Sequence, residues 1–146
     1  MVYVLLGPAA TIYCEDVMRI ARFEDIVAWQ YARVLVKDVY CETAKGPGRR
    51  DFTFRNQICS AALSVMNNIA EGFSRESRVE FARFLDIARA SAREVQSLLY
   101  TATDLGYVDD AALKRMRKQV TETAFLITRL RTSLNTLPRP RTQTSS

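Results

Sequence analysis

Between residues 80 and 105 the apolar positions return every three or four residues. Phe81, Phe84, Ala88, Ser91, Val95, Leu98, Ala102 and Leu105 occupy successive a and d positions, with Leu85, Ala92 and Leu99 beside them. This spacing places the residues along one face of a helix with 3.6 residues per turn. Three further stretches repeat the pattern. Residues 23–44 contain neither Gly nor Pro, carry acids at their start, and repeat apolar residues at Ile26, Trp29, Ala32, Val36 and Val39. Residues 52–71 line up Ile58, Ala61, Val65 and Asn68, widened by Ala62 and Ile69. From Asp109 to Leu137 the stripe is Leu113, Met116, Val120, Ile127, Leu130 and Leu134. Four amphipathic helices are predicted.

The intervals supply the stops. Lys45 to Asp51 (KGPGRRD) combines Gly, Pro and charge, residues that propagate a helix only at a cost, and it reads as a basic turn. Gly72 is expected to provide a left-handed C-terminal turn for the second helix, and Gly106 closes the third. Ser77 and Glu80 form a Ser-x-x-Glu capping box, so the third helix starts near Ser77, and Asp109 is placed as the N-cap of the fourth. Pro138 and Pro140 end that helix. Short connections make consecutive helices antiparallel, so the expected fold is all-α: an antiparallel up-down-up-down four-helix bundle over residues 22–137. Residues 138–146 are expected to form a disordered tail. Residues 1–21 read as an N-terminal extension, peripheral to the bundle or the product of an over-called start at Met1 instead of Met18.

A chain of 146 residues, 48% hydrophobic and 25% charged, suffices for one domain with its own core. Cys14, Cys41 and Cys59 are odd in number and widely spaced, which suits a reducing cytoplasm and supplies neither a disulfide framework nor a thiolate metal site. The apolar run in residues 2–10 lacks a basic segment before it and is too short to cross a bilayer, so no membrane partner is expected. There is no histidine, which removes Ser-His-Asp and Cys-His catalysis and imidazole ligation together. Helix-borne carboxylates occur at Glu71, Glu80, Asp86, Glu94, Asp104 and Glu122, but di-metal centres in bundles ordinarily need Glu-x-x-His on two helices. No Gly-rich phosphate loop or Gly-x-Ser-x-Gly elbow is present. No catalytic, cofactor or metal residues are therefore assigned.

Two constellations remain. Asn68 and Ser91 put polar groups where periodicity calls for core, and Glu71, Glu80 and Glu94 stand on the shoulders of the same stripes. With Arg75 four residues after Glu71, they read as a polar network facing a neighbouring helix or subunit. The plainer alternative is that Asn68 sets helix register and the glutamates are caps and solvated shoulders. The second constellation is electrostatic. The chain carries 21 Lys+Arg against 16 Asp+Glu, a net +5, and residues 114–146 hold Lys114, Arg115, Arg117, Lys118, Arg129, Arg131, Arg139 and Arg141 against the single acid Glu122. Such a surface suits a nucleic-acid backbone, or is simply a solvated helix face. Trp29, Phe81 and Phe84 fall on helix stripes and form no stacking platform.

The runs FEDIVAWQ (23–30), LSVMNNIAEGFSR (63–75) and EFARFLDIARASAREV (80–95) resemble the four-helix-bundle proteins encoded in intervening sequences of bacterial 23S ribosomal RNA genes. More distantly they resemble the accessory variability protein of diversity-generating retroelements. The likeness extends over residues 22–137 and maps onto Trp29, Gln57, Asn68, Glu71, Gly72, Arg75, Glu80, Phe81, Phe84, Ser91 and Glu94. It implies a ring-like homopentamer and, through the retroelement relatives, binding to RNA or DNA and to a reverse transcriptase. The chain departs from the pattern at Cys59-Ser60-Ala61, where the family tends to carry Arg-Arg-Ala, and at Ala90-Ser91, where Gly-Ser is usual. The expected function is that of a non-enzymatic homo-oligomer associated with structured RNA or other nucleic acid. The alternatives are a protein-interaction module without a nucleic-acid ligand and, more remotely, a metal-dependent enzyme.

Overall fold

The computed structural model describes Val17 and residues 19–137. Most of the expected extension, including Cys14 and Met18, and the expected tail with Arg139 and Arg141 lie outside the described residues. Four long helices make up the fold: α1 (Val27–Thr43), α2 (Phe52–Phe73), α3 (Arg78–Asp104) and α4 (Asp110–Thr136). At ~1.5 Å per residue, the 27 residues of α3 span about 40 Å. Each helix packs on its neighbours in sequence and α4 packs back on α1, which closes a four-sided bundle around one core.

Three side-chain caps set the starts of helices. Asp51 accepts from the Phe54 N–H at 3.0 Å, Ser77 from Glu80 at 3.4 Å, and Asp109 from Ala112 at 2.9 Å. A cap of this kind contributes about 1 kcal/mol. Gly106 has φ +65°, and the Tyr107 and Gly106 N–H groups return to the Ala102 and Thr103 carbonyls at 2.9 and 3.2 Å. That pair of bonds is a Schellman closure, and it takes up carbonyls that the last turn of α3 would otherwise leave open.

Helix α1 begins later than its periodicity suggests. Phe23–Asp25 form a single 3-10 turn and Ile26 is extended, so regular helix starts at Val27. The break buries Ile26 and lays the Phe23 ring edge-on against Trp29, centroids 5.1 Å apart. The Gln30 amide donates to the Glu24 carbonyl at 2.9 Å, satisfying an acceptor that the interrupted helix exposes. Within the segment assigned to the extension, Val17 and Ile20 pack against the core.

Gly72 does not terminate α2. It is a buried helical residue, and the chain continues through Phe73. A Cβ there would stand 2.7 Å from the Phe84 Cβ and 2.8 Å from the Phe81 ring, so glycine is needed for the close approach of α3 and not for a left-handed turn.

The core stripe of α3 also sits differently from the strict a/d count. Leu85, Ala92 and Leu99 are fully enclosed, Phe84 and Leu98 are half-buried, and Leu105 is 53% exposed. In each heptad the second inward residue lies four positions after the first, not three. Of the residues at +3, Phe84 and Ser91 lie toward α2, against Gly72 and Ser64. Both shoulders are apolar in sequence, so the positions of α2 and α4 decide which one is covered.

Ion pairs fasten α4 to both of its neighbours. Arg115 reaches Asp38 at 3.0 Å and Glu42 at 3.1 Å on α1, and Gln119 donates to Asp38 at 2.7 Å. On the other side Arg131 bonds both oxygens of Asp86 at 3.1 Å, with Arg89 on the same carboxylate at 3.3 Å. The hydrogen bonds from Arg131 hold the Asp86 carboxyl below its ordinary value, against an opposing contribution from partial burial. A carboxylate with a depressed folded pKa contributes its stability above its unfolded value, and that contribution disappears as pH falls through the folded value. Melting temperature is therefore expected to decline below about pH 4. Replacing Asp86 with Asn should flatten that decline relative to the parent in a pH series of thermal melts, and an unchanged acid slope would refute the assignment.

Candidate functional site

The cations of α4 do not form one uniform face. Arg115 and Arg131 are committed to Asp38, Glu42 and Asp86, where they tie helices together. Arg117 lies over the Tyr100 ring at 5.2 Å and donates to the Thr103 hydroxyl, so it leans onto α3. Lys114 and Lys118 are exposed one turn apart, and Lys118 holds a long 3.9 Å contact with Glu122. Arg129, half-buried, covers the exposed Phe125 ring at 5.5 Å. Of the six residues singled out by charge, Lys114, Lys118 and Arg129 share the outward face. Arg115 and Arg131 differ from these three in making their bonds to cross-helix carboxylates through Nε and Nη2.

The polar residues of α2 and α3 are brought together in part. The Ser64 and Ser91 hydroxyls meet at 2.8 Å across the α2–α3 seam, and the Asn68 amide donates to the Ser64 carbonyl at 2.8 Å and to its hydroxyl at 3.0 Å. The Ser64–Ser91 bond crosses between the helices, while both Asn68 bonds stay within α2. Ser64 is the hub of this small network and was not singled out by sequence. Its signal is modest, a hydroxyl one turn before Asn68 on the same face.

Arg75 pairs with Glu71 one turn away and lies over the Phe84 ring at 4.9 Å. Arg75, Glu80, Arg83, Phe84 and Ile87 line a shallow open depression at the edge of that seam. Glu94 is exposed further along α3. Asn68, Ser91, Glu71, Arg75, Glu80 and Glu94 thus divide into two residues each bonded to Ser64 and a set of charged residues toward solvent. Beside this set, Val79 is 80% and Ile87 42% exposed, apolar surface left uncovered by the single chain.

A second basic group comes from the α1–α2 connection. Pro47–Arg50 form a 3-10 turn with Arg49 and Arg50 exposed, and Arg55 follows on the first turn of α2, donating to the Arg49 carbonyl at 3.2 Å. Glu42 accepts from Lys45 at 3.3 Å and from Arg115 at 3.1 Å, which joins this connection to the start of α4. The α3–α4 turn meets it at the same end of the bundle: the Tyr107 hydroxyl donates to Asp51 at 2.7 Å, and its ring lies edge-on to Phe54 at 5.2 Å. Residues far apart in sequence are joined there, and no periodicity announces it.

Among the described residues no group of three or more His, Cys, Asp or Glu is placed to hold a metal ion. None of the described helices is long and apolar enough to cross a membrane. Cys41 and Cys59 are free thiols, the second buried against the Thr43 hydroxyl. A family model described as 23S rRNA-intervening sequence protein matches residues 24–129, a span taking in α1, α2, α3 and most of α4. No curated protein matches the chain.

Proposed function

The chain belongs to the 23S rRNA-intervening sequence protein family, and from that premise we propose that it is a non-enzymatic bundle that assembles with copies of itself and associates with structured RNA or other nucleic acid. The observation that carries the nucleic-acid reading is the outward face of α4. Arg115 and Arg131 are ion-paired to α1 and α3, while Lys114, Lys118 and Arg129 stand on a helix whose own acids are Asp110 in its first turn and Glu122. Phosphate contacts from such residues add affinity with little sequence preference and weaken as salt rises.

Self-association is supported by the α2–α3 edge, where Val79, Phe84 and Ile87 stand beside the charged residues Glu71, Arg75, Glu80 and Arg83. A mixed apolar and charged rim of this kind suits a subunit contact. The five-fold ring is the state that the family resemblance implies. The same apolar residues favour the second reading, a protein-interaction module that needs no nucleic acid.

Anisotropy titration of a labelled RNA hairpin is the direct test. Binding is expected at about 50 mM salt, with Kd rising steeply as salt increases. K114Q/K118Q/R129Q should weaken it roughly tenfold and lower the log Kd against log salt slope by about 2 to 3, near one for each phosphate no longer neutralised. Absence of binding to hairpin RNA and duplex DNA at low salt would overturn the nucleic-acid reading. A monomer by sedimentation at micromolar concentration would overturn the assembly.

A further inference from the structure

We propose that the α1–α2 connection, residues 45–55, is a preorganised phosphate-backbone clamp, completed by the first two turns of α4 at the same end of the bundle. It rests on the nucleic-acid reading above and assigns the principal contact to residues outside α4. In this segment Lys45, Arg49, Arg50 and Arg55 stand against one acid, Asp51. Both oxygens of Asp51 are occupied from within, Oδ1 by the Phe54 N–H at 3.0 Å and Oδ2 by the Tyr107 hydroxyl at 2.7 Å. These bonds keep its carboxyl ionised and turned toward the bundle. Glu42 is shared between Lys45 and Arg115, and the acids Asp104, Asp109 and Asp110 belong to the α3–α4 connection that meets this segment. Within the 45–55 segment itself positive charge is left in excess.

The connection is built to hold its shape. Gly46 has φ +64°, and a Cβ on Gly48 would stand 2.6 Å from the Tyr107 ring, so the backbone lies directly on that ring. Arg55 props the turn by donating to the Arg49 carbonyl, and its own Nε is buried without a hydrogen-bond partner. Arg49 and Arg50 are exposed on this support, the Arg49 guanidinium donating to the Gly46 carbonyl at 3.2 Å, and Lys114 is exposed on α4 one residue before the Arg115 that links the two elements. A rigid turn presenting consecutive guanidinium groups loses little entropy on meeting adjacent phosphates, and guanidinium matches phosphate geometry bidentately. The partner this fits is the sugar-phosphate backbone of a nucleic acid, read by charge and spacing and not by base.

The test compares R49Q/R50Q with R33Q/R93Q, which removes the same charge from exposed positions elsewhere, using the full chain and the labelled hairpin. R49Q/R50Q should raise Kd about tenfold and reduce the salt slope by about 2, whereas R33Q/R93Q should stay within about twofold of the parent. R49K/R50K, which keeps the charge, should recover most of the slope. Y107F, which retains the ring over Gly48 but frees Asp51, should weaken binding while circular dichroism remains that of the parent. Parent-like binding by R49Q/R50Q, or equal losses in both double variants, would overturn the clamp while leaving the α4 reading intact. Failure of the parent protein to bind would instead overturn the nucleic-acid reading itself.

Discussion

Replacing Gly72 with leucine is expected to destabilise the bundle by about 3 kcal/mol, at the upper end of typical overpacking costs. The first atom of the new side chain would already sit 2.7 Å from the Phe84 Cβ and 2.8 Å from the Phe81 ring. The Phe84 Cβ is anchored to the α3 backbone and cannot rotate away, so α2 and α3 must separate. Separation also strains the Ser64–Ser91 hydrogen bond along the same seam. Alanine presents a finer balance. Its helix propensity exceeds that of glycine by about 1 kcal/mol, but the same Cβ overlap opposes that gain. G72A is therefore expected to be less stable than the parent by a smaller margin than G72L. Urea unfolding followed by circular dichroism measures both. A stabilised G72A would show that α3 does not approach as closely as the structure places it.

The second large effect concerns the face of α3 that is buried. Leu99→Ala should cost about 2 to 5 kcal/mol, the range for truncating an enclosed leucine, because Leu99 has no solvent exposure. Leu105→Ala should fall within about 0.5 kcal/mol, since that side chain is 53% exposed at the end of the helix. A strict a/d stripe ranks Leu105 with the core and Leu99 on its shoulder, so the pair of variants separates the two arrangements in one experiment. Comparable losses at both positions would contradict the observed rotation of the helix.

These two cases mark how far local pattern reaches in this protein. The presence of four helices, the Asp109 and Ser77 caps and the Gly106 closure are local features, each set by residues within a few positions of one another, and the structure contains them as the spacing predicts. The delayed start of α1 was not legible, because it is driven by burial of Ile26 and by the Phe23–Trp29 contact, which periodicity does not report. The role of Gly72 was missed for a related reason. In sequence a glycine near a helix end looks like a terminator, and only the neighbouring helix reveals that it serves close packing.

The candidate site was legible to a lesser degree. Asn68 and Ser91 stood out as polar residues on apolar stripes, and the Glu71–Arg75 pair followed from its spacing. The basic run of α4 was also visible, yet its division into ion-paired Arg115 and Arg131 and outward Lys114, Lys118 and Arg129 depends on carboxylates carried by α1 and α3.

By itself, then, the amino-acid sequence determined the number of helices, the Ser77 and Asp109 caps, the Gly106 closure and the sign of the charge along the helices, because those depend on contacts within a turn or two. Which shoulder of the stripe from Phe81 to Leu105 is buried, which cations pair across helices, and the meeting of the 45–55 turn with Tyr107 and the start of α4 were decided only by the tertiary structure. These features join residues dozens of positions apart, and only the packing of the four helices brings them within bonding distance.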